Sequence, residues 1–125
     1  MRKRRRILLV EDEVMIRRVL LRFFGKEGYE TFEADNVKTA LDLFRRYYPF
    51  DAVICDIYLG PDDGWKIVRF IQHEQPATPV IVTSGAILDG AQPGMNFSIL
   101  YKPFGPSELM EMLERLWGIR KPTTE

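Results

Sequence analysis

Acidic, hydroxyl and ammonium side chains follow short apolar segments at four places in this sequence of 125 residues. Carboxylates bind hard divalent cations, and a carboxylate beside such a cation can accept a phosphoryl group. A hydroxyl and an ammonium can hold phosphoryl oxygens through hydrogen bonds and charge. The combination points to metal-assisted phosphoryl chemistry. In chain order the four groups are Glu11-Asp12-Glu13, Asp56, Thr83-Ser84 and Lys102-Pro103.

The carboxylates in this set would repel one another if they met without a counter-charge. Two unit charges about 4 Å apart repel by about 4 kcal/mol at an effective dielectric of about 20. Three clustered carboxylates must therefore stay partly protonated or hold a cation. Oxygen ligands that are few in number and leave room for water suit Mg²⁺ better than a transition metal. We expect Mg²⁺ among these carboxylates, with Lys102 and Thr83 free to bind phosphoryl oxygens.

Five short segments rich in Val, Ile and aromatic residues predict the strands that carry these groups. Three of the segments are apolar almost throughout, which is typical of parallel strands covered on both faces. Four of the five end at one of the groups described above. Because the carboxyl ends of parallel strands meet at one edge of a sheet, we expect these groups to lie together. The predicted strands span residues 7–10, 29–33, 52–56, 79–83 and 97–102.

Apolar residues at helical spacing lie between these strands. The first predicted helix ends at Gly25 or Gly28, and the second begins behind an Asp35-Asn36 cap. The last begins at Pro106, a residue that favours the first position of a helix. Strands that alternate with helices imply parallel pairing and right-handed crossovers. The predicted fold is α/β, a doubly wound five-stranded parallel sheet with helices on both faces.

Composition and charge narrow the class of protein further. The chain is 46% hydrophobic with no net formal charge, so it fits one globular domain without a field that attracts nucleic acid or membrane. Residues 1–6 are expected to form a solvated basic leader, 7–118 the domain and 119–125 a tail. The apolar run after the leader is too short for a signal peptide, and no segment is long enough to span a membrane. A single cysteine, Cys55, excludes an internal disulfide, and a cytoplasmic location is expected.

The four groups together resemble the receiver domain of two-component response regulators, including the stand-alone chemotaxis type, from about residue 7 to 117. The resemblance implies a flavodoxin-like sheet with strand order 2-1-3-4-5. It also implies a switch that is phosphorylated by a histidine kinase or phosphotransfer protein and is not an enzyme with external turnover. The matching motifs are Ile7-Leu8-Leu9-Val10-Glu11-Asp12-Glu13, Asp56-Ile57-Tyr58-Leu59 followed by Asp63-Gly64, Thr83-Ser84-Gly85 and Lys102-Pro103-Phe104.

The resemblance implies a role for each of the site residues. Asp56 would be the phosphoacceptor. The hydroxyl of Thr83 would move toward the phosphate, and Lys102 would be the charge partner of the phosphate, next to a cis peptide at Lys102-Pro103. The ligands of Mg²⁺ would be Glu11, Asp12, Asp56 and the backbone carbonyl of Tyr58.

The sequence departs from the family pattern in two places that concern the signal output. The segment 85–96 contains three glycines and a proline, which predicts a short or irregular fourth helix that is weakly held and able to move. Ile99 stands where the family usually has an aromatic residue whose rotation reports phosphorylation. Two smaller departures concern the site itself, where Glu11 replaces a more usual Asp and Gly60-Pro61 places the proline one residue late.

Other functions are compatible with parts of the pattern. A phosphorylation-independent receiver-like scaffold would keep the fold without the chemistry. A phosphatase that works through an aspartyl phosphate is disfavoured, because haloacid-dehalogenase-like enzymes place a second Asp where Tyr58 stands here. A nucleotide-binding domain is disfavoured, because acids follow the first strand in place of a glycine-rich turn. No DNA-binding helix-turn-helix pattern follows Trp117, so output would require a downstream protein, self-association or domains outside this sequence.

Overall fold

Strands and helices alternate along residues 4–88 and 94–119, which are the residues that the computed structural model describes. Residues 1–3 of the leader, 89–93 of the glycine-rich segment and most of the predicted tail lie outside the described residues. The elements are β1 (Arg6–Val10), α1 (Val14–Lys26), β2 (Glu30–Ala34), α2 (Val37–Tyr47), β3 (Ala52–Asp56), β4 (Tyr58–Leu59), β5 (Asp62–Asp63), α3 (Trp65–Glu74), β6 (Val80–Ser84), β7 (Ser98–Tyr101) and α4 (Pro106–Leu116).

Five strands form a parallel sheet in the order β2-β1-β3-β6-β7. Counted without the short strands β4 and β5, this is the order 2-1-3-4-5, so the doubly wound fold is confirmed. The observed strand limits differ from the predicted ones by at most one residue, because pairing with the neighbouring strand decides where a ladder ends. The register places Asp56 directly beside Thr83, and the residue after Tyr101 is Lys102.

The core consists of two hydrophobic clusters, one on each face of the sheet. Helices α2 and α3 cover one face with Phe44 and Ile71, and α1 and α4 cover the other with Phe24 and Leu113. Strand β3 is buried along its whole length, as expected for a central strand with helices on both sides. Because helices cover both faces of the sheet, its carboxyl edge is the part that remains open for a functional site.

Local signals in the sequence set the helix limits. Asn36 caps α2, since its side-chain oxygen accepts a hydrogen bond of 2.8 Å from the amide of Thr39. Gly25 lies inside α1, whereas Gly28 has a φ of +84° and follows the end of the helix. Pro106 is the first residue of α4. The cap at Asp35-Asn36 and the helix start at Pro106 are thus confirmed, and Gly28 is the glycine that ends α1.

The described parts of the glycine-rich segment, 85–88 and 94–96, contain no helix. This agrees with the prediction of a short or irregular element. The side chain of Gln72 on α3 holds the end of the segment, because it exchanges two hydrogen bonds of 2.8 Å with the backbone of Asn96. The expected mobility of the segment stays a prediction.

The described end of the basic leader packs against the domain. Arg6 belongs to β1, and its guanidinium contacts a carboxylate oxygen of Glu30 at 2.9 Å and the carbonyl of Tyr47 at 2.7 Å. The Arg5 guanidinium lies 4.3 Å from the ring centre of Trp117. The expectation of a solvated leader is therefore wrong for Arg5 and Arg6, because carboxylate, carbonyl and aromatic partners face them. In the described part of the chain, every helix is too short or too polar to cross a bilayer.

Candidate functional site

A cleft of about 390 Å³ opens at the carboxyl edge of the sheet. Strands β1, β3, β6 and β7 all end there, and the loops that follow them form its walls. This is the position at which doubly wound sheets carry their sites. The residues around the cleft are Asp12, Glu13, Asp56, Tyr58, Gly60, Gly85, Ala86 and Lys102.

Three carboxylates meet at the base of this cleft. One oxygen from each of Glu11, Asp12 and Asp56 lies within 4.8 Å of the other two. Glu11 and Asp56 are only 2% and 3% exposed, and Asp12 is half-buried. Glu13 stays on the exposed rim, with a carboxylate oxygen 4.0 Å from the ammonium of Lys102. The first acidic run therefore contributes two of its three carboxylates to the cluster.

Lys102 provides the positive charge among these acids. Its Nζ lies 2.8 Å from Oδ2 of Asp56 and 3.0 Å from Oε1 of Glu11. Burial lowers the pKa of Lys102, but the hydrogen bonds and charges of Asp56 and Glu11 outweigh that effect and raise the pKa above its usual value. The lysine is thus held as an ammonium. The Lys102-Pro103 peptide beside it is cis, as the resemblance implied.

Glu11 carries the clearest electrostatic strain in the site. Burial raises its pKa to about 7, and the charge of Asp56 raises it as well. The amide of Glu13 and the ammonium of Lys102 act in the opposite direction through hydrogen bonds. With Lys102 as the positive charge, ionising all three carboxylates of the cluster therefore costs free energy.

Thr83 presents a hydroxyl to the same region. The residue is 1% exposed, and its Oγ1 has no hydrogen-bond partner among the residues that the structure describes. Buried polar atoms in proteins are nearly always hydrogen-bonded, so an unpaired one calls for a reason. Because Thr83 lies beside Asp56 in the sheet register, its hydroxyl is available to a group attached to that carboxylate.

A short antiparallel hairpin, formed by β4 and β5, closes one side of the cleft. It lies just after Asp56, and the amide of Tyr58 donates a hydrogen bond of 3.1 Å to Oδ1 of Asp56. Gly60 occupies the turn with a φ of +60°, which suits glycine. Gly64 follows the hairpin, and a Cβ there would overlap the carbonyl oxygen of Asp56. Glycine is thus required for the backbone to pass so close to Asp56.

Two residues of the site, Arg17 and Asp62, were missed by the sequence reasoning, and Asp63 was identified only as part of a motif. Arg17 donates a hydrogen bond of 2.8 Å to the carbonyl of Glu11, and nothing in its position within α1 signals this contact. Asp62 and Asp63 accept hydrogen bonds from the first turns of two helices. The pair of acids between Gly60-Pro61 and Gly64 was the available signal, since Asp favours helix caps.

The edge strand β7 includes Ile99 and Tyr101, and Phe97 lies just before it. Ile99 is half-buried and lies beside Val82 in the sheet. Tyr101 is 43% exposed, and the ring of Phe97 packs edge-on against Trp65 at 5.1 Å. An aliphatic side chain at residue 99 has no ring to rotate. His73 is largely exposed on α3 and belongs to none of the residues around the cleft.

The donor set suits a hard divalent cation. Three carboxylate oxygens converge, Lys102 is the one ammonium that contacts them among the described residues, and an open cleft leaves room for water ligands. The raised pKa of Glu11 shows that burial disfavours the ionised carboxylate in this cluster. A bound cation would add a second positive charge and favour that ionised form. The residues present therefore fit Mg²⁺.

Comparison with known proteins agrees with this arrangement. The family model described as "Response regulator receiver domain" matches residues 7–114. The chain belongs to this family. Receivers are signalling domains with an acidic pocket at the carboxyl edge of a flavodoxin-like sheet, and the receiver described here has both features.

The relatives of this receiver differ in length. It is 37% identical over 114 residues to the regulatory protein AtoC of Escherichia coli (strain K12), a match that covers 88% of this chain and 24% of AtoC. It is 32% identical over 114 residues to sporulation initiation phosphotransferase F of Bacillus subtilis (strain 168), with 88% of this chain and 91% of that protein covered. The chain thus spans about a quarter of the length of AtoC.

A solved structure provides the same comparison in three dimensions. The receiver domain of sensor histidine kinase PA1611 from Pseudomonas aeruginosa PAO1 was solved with a magnesium ion coordinated in its active-site cleft. It superposes on this receiver with a TM-score of 0.80 at 30% identity, covering 92% of this chain and 98% of that one.

Proposed function

We propose that this receiver accepts a phosphoryl group on Asp56 from the phosphohistidine of a histidine kinase or phosphotransfer protein, and that phosphorylation switches its affinity for a partner. The proposal is supported most directly by the surroundings of the Asp56 carboxylate. One oxygen contacts the ammonium of Lys102 at 2.8 Å, the other accepts from a backbone amide, and the residue borders an open cleft. An acceptor needs that combination of charge partner, orientation and access.

Mg²⁺ would be held by the carboxylates of Glu11, Asp12 and Asp56 and by the backbone carbonyl of Tyr58. Bound there, the ion would cancel the repulsion between the acceptor carboxylate and an incoming phosphoryl group. The hydrogen bond from the Tyr58 amide orients the Asp56 carboxylate. Arg17 fixes the backbone of Glu11 through its carbonyl and so holds the first acidic pair in place.

In the transfer, a P–O bond forms to Asp56 as the P–N bond of the donor breaks, and the donor imidazole is the leaving group. Lys102 exchanges its contact with the Asp56 carboxylate for a contact with a phosphoryl oxygen. The unpaired hydroxyl of Thr83 then gains an acceptor in a second phosphoryl oxygen. The protein modifies its own side chain, so this is a switch and not external turnover.

An apolar cleft of about 590 Å³ beside the site supports docking of a phosphodonor. It lies between α1 and the start of α4, and it shares Glu13, Gly85 and Lys102 with the phosphorylation cleft. Met15 and Val19 on α1 border it and are 72% and 52% exposed. A donor protein seated on these apolar side chains would place its phosphohistidine beside Asp56.

Intact mass after incubation with acetyl phosphate and Mg²⁺ tests the proposal. The wild-type protein should gain the mass of one phosphoryl group, Asp56→Asn should gain none, and EDTA should prevent the gain. Asp42→Asn is the matched control, because Asp42 is an exposed carboxylate on α2 that pairs with Lys38. Its gain should equal that of wild type. A folded wild-type protein that gains no mass would instead point to a phosphorylation-independent scaffold.

A further inference from the structure

The β4–β5 hairpin is attached to the first turns of two helices. Oδ2 of Asp62 accepts a hydrogen bond of 3.0 Å from the amide of Val37, the first residue of α2. Oδ1 of Asp63 accepts one of 2.9 Å from the amide of Trp65, the first residue of α3. The second contact is local in sequence, whereas the first joins residues 25 positions apart. Asp62 thus links the loop after the acceptor to a different part of the fold.

The contact with α2 suits an aspartate for two reasons. The first amides of a helix have no partner within the helix, so a side-chain oxygen satisfies one of them. The partial positive charge at the helix start also favours a carboxylate. Asn36 satisfies another amide of the same turn, that of Thr39, so the two side chains share the capping of α2.

The hairpin itself is too small to hold its own shape. Each strand has two residues, and isolated two-stranded hairpins are at best marginally stable in water. Yet the hairpin borders the cleft on one side, since Tyr58 and Gly60 line it and a Cβ on Gly60 would lie 3.8 Å from Oδ2 of Asp12. Its shape must therefore be fixed by contacts with the rest of the domain.

We propose that Asp62 is a positioning residue for the phosphorylation site: by fixing the hairpin against the start of α2, it holds the Tyr58 carbonyl and the Asp56 carboxylate in place for Mg²⁺. This inference rests on the proposed function for the identity of the ion. The hydrogen bond of Asp62 would act on Tyr58 through the hairpin backbone, because Leu59 pairs with Asp62 and Tyr58 pairs with Asp63. Loss of the Asp62 carboxylate should loosen the hairpin and weaken Mg²⁺ binding without removing a ligand.

Isothermal titration of Mg²⁺ into wild type and Asp62→Ala measures this effect. We expect Asp62→Ala to bind Mg²⁺ about tenfold more weakly, a loss typical of residues that support a metal ligand. Asp62→Asn keeps an oxygen acceptor for the Val37 amide and should retain the wild-type Kd. Amide hydrogen exchange of the metal-free proteins gives a second readout, in which Asp62→Ala should accelerate exchange in residues 58–63.

Asn36→Ala is the matched control, because it removes the other cap of α2 and leaves the hairpin untouched. It should weaken α2 but change neither Mg²⁺ affinity nor exchange in the hairpin. An unchanged Kd in Asp62→Ala, or an equal rise in Asn36→Ala, would overturn the inference. A wild-type protein that binds no Mg²⁺ would overturn the proposed function instead, and the exchange data would then decide by themselves whether Asp62 holds the hairpin.

Discussion

Burial decides the behaviour of individual acidic and thiol groups in this receiver. Glu11 and Glu13 are two residues apart, yet the first is buried in the carboxylate cluster and the second is exposed at the rim. The same effect acts on Cys55, whose pKa burial raises far above the usual value, so the thiol stays protonated and packs in the core. How deeply the fold buries an acidic or thiol group thus decides what that group can do chemically.

The raised pKa of Glu11 predicts how the metal-free protein responds to pH. The unfolded chain loses this proton near pH 4.5, whereas the folded protein keeps it to about pH 7. The folded state therefore binds the proton more tightly, and stability falls as pH rises between these values. From pH 5 to pH 8 in EDTA, wild type should lose about 2 to 3 kcal/mol of unfolding free energy relative to Glu11→Gln. Urea denaturation at several pH values measures the difference. Parallel pH profiles for the two proteins would contradict the prediction.

At the scale of single elements, the β4–β5 hairpin brings the backbone that follows it against Asp56. The backbone of Gly64 passes against the carbonyl of Asp56, and its own amide donates a hydrogen bond of 2.8 Å to the carbonyl of Ile57. The hairpin therefore reverses direction within a few residues and still leaves Asp56 at the cleft. A side chain at residue 64 has no room in that arrangement.

Two glycine substitutions separate close packing from conformational freedom. Gly64→Ala should lower the free energy of unfolding by about 1 to 3 kcal/mol, because its Cβ would meet the backbone of Asp56 and Ile57. Gly25→Ala should raise it by about 0.5 to 1 kcal/mol, since Gly25 lies within α1 and a Cβ there meets nothing within 4 Å. Urea denaturation of both variants provides the test. A tolerated Gly64→Ala would mean that the hairpin can shift away from the backbone of Asp56.

At the scale of the whole molecule, the site connects parts of the chain that are far apart in sequence. Glu11, Asp56 and Lys102 come from three strands whose order is set by the crossovers, and helices on both faces hold the sheet between two apolar clusters. A ligand that binds several of these strand ends must stabilise the folded domain as a unit. Binding at the site and global stability are therefore linked.

Mg²⁺ should raise the thermal stability of the receiver. A ligand at about one hundred times its Kd adds about 2.7 kcal/mol, which corresponds to a Tm increase of roughly 10 °C for a domain of this size. Asp12→Asn should lose most of this increase, because it removes a carboxylate from the cluster. Asp42→Asn, on the exposed face of α2, should keep it. Thermal unfolding with and without EDTA is the measurement, and an equal Tm in both conditions would rule out a metal site of useful affinity.

The sequence by itself determined the elements and the types of the site residues. Apolar runs, helical spacing and capping residues such as Asn36 are local signals, so they predicted the α/β fold and the helix starts. The motifs at the strand ends predicted which side chains would meet, and the structure brings Glu11, Asp12, Asp56, Thr83 and Lys102 together.

The tertiary structure alone decided the distances, the burial and the links between distant segments. The exclusion of Glu13 from the cluster, the raised pKa of Glu11 and the contact between Asp62 and Val37 have no local signature. Each depends on groups that are remote in sequence and close only after the sheet has formed, and desolvation exists only once those groups are packed. The residue types of the site are therefore a property of the sequence, whereas its electrostatics and its support are properties of the fold.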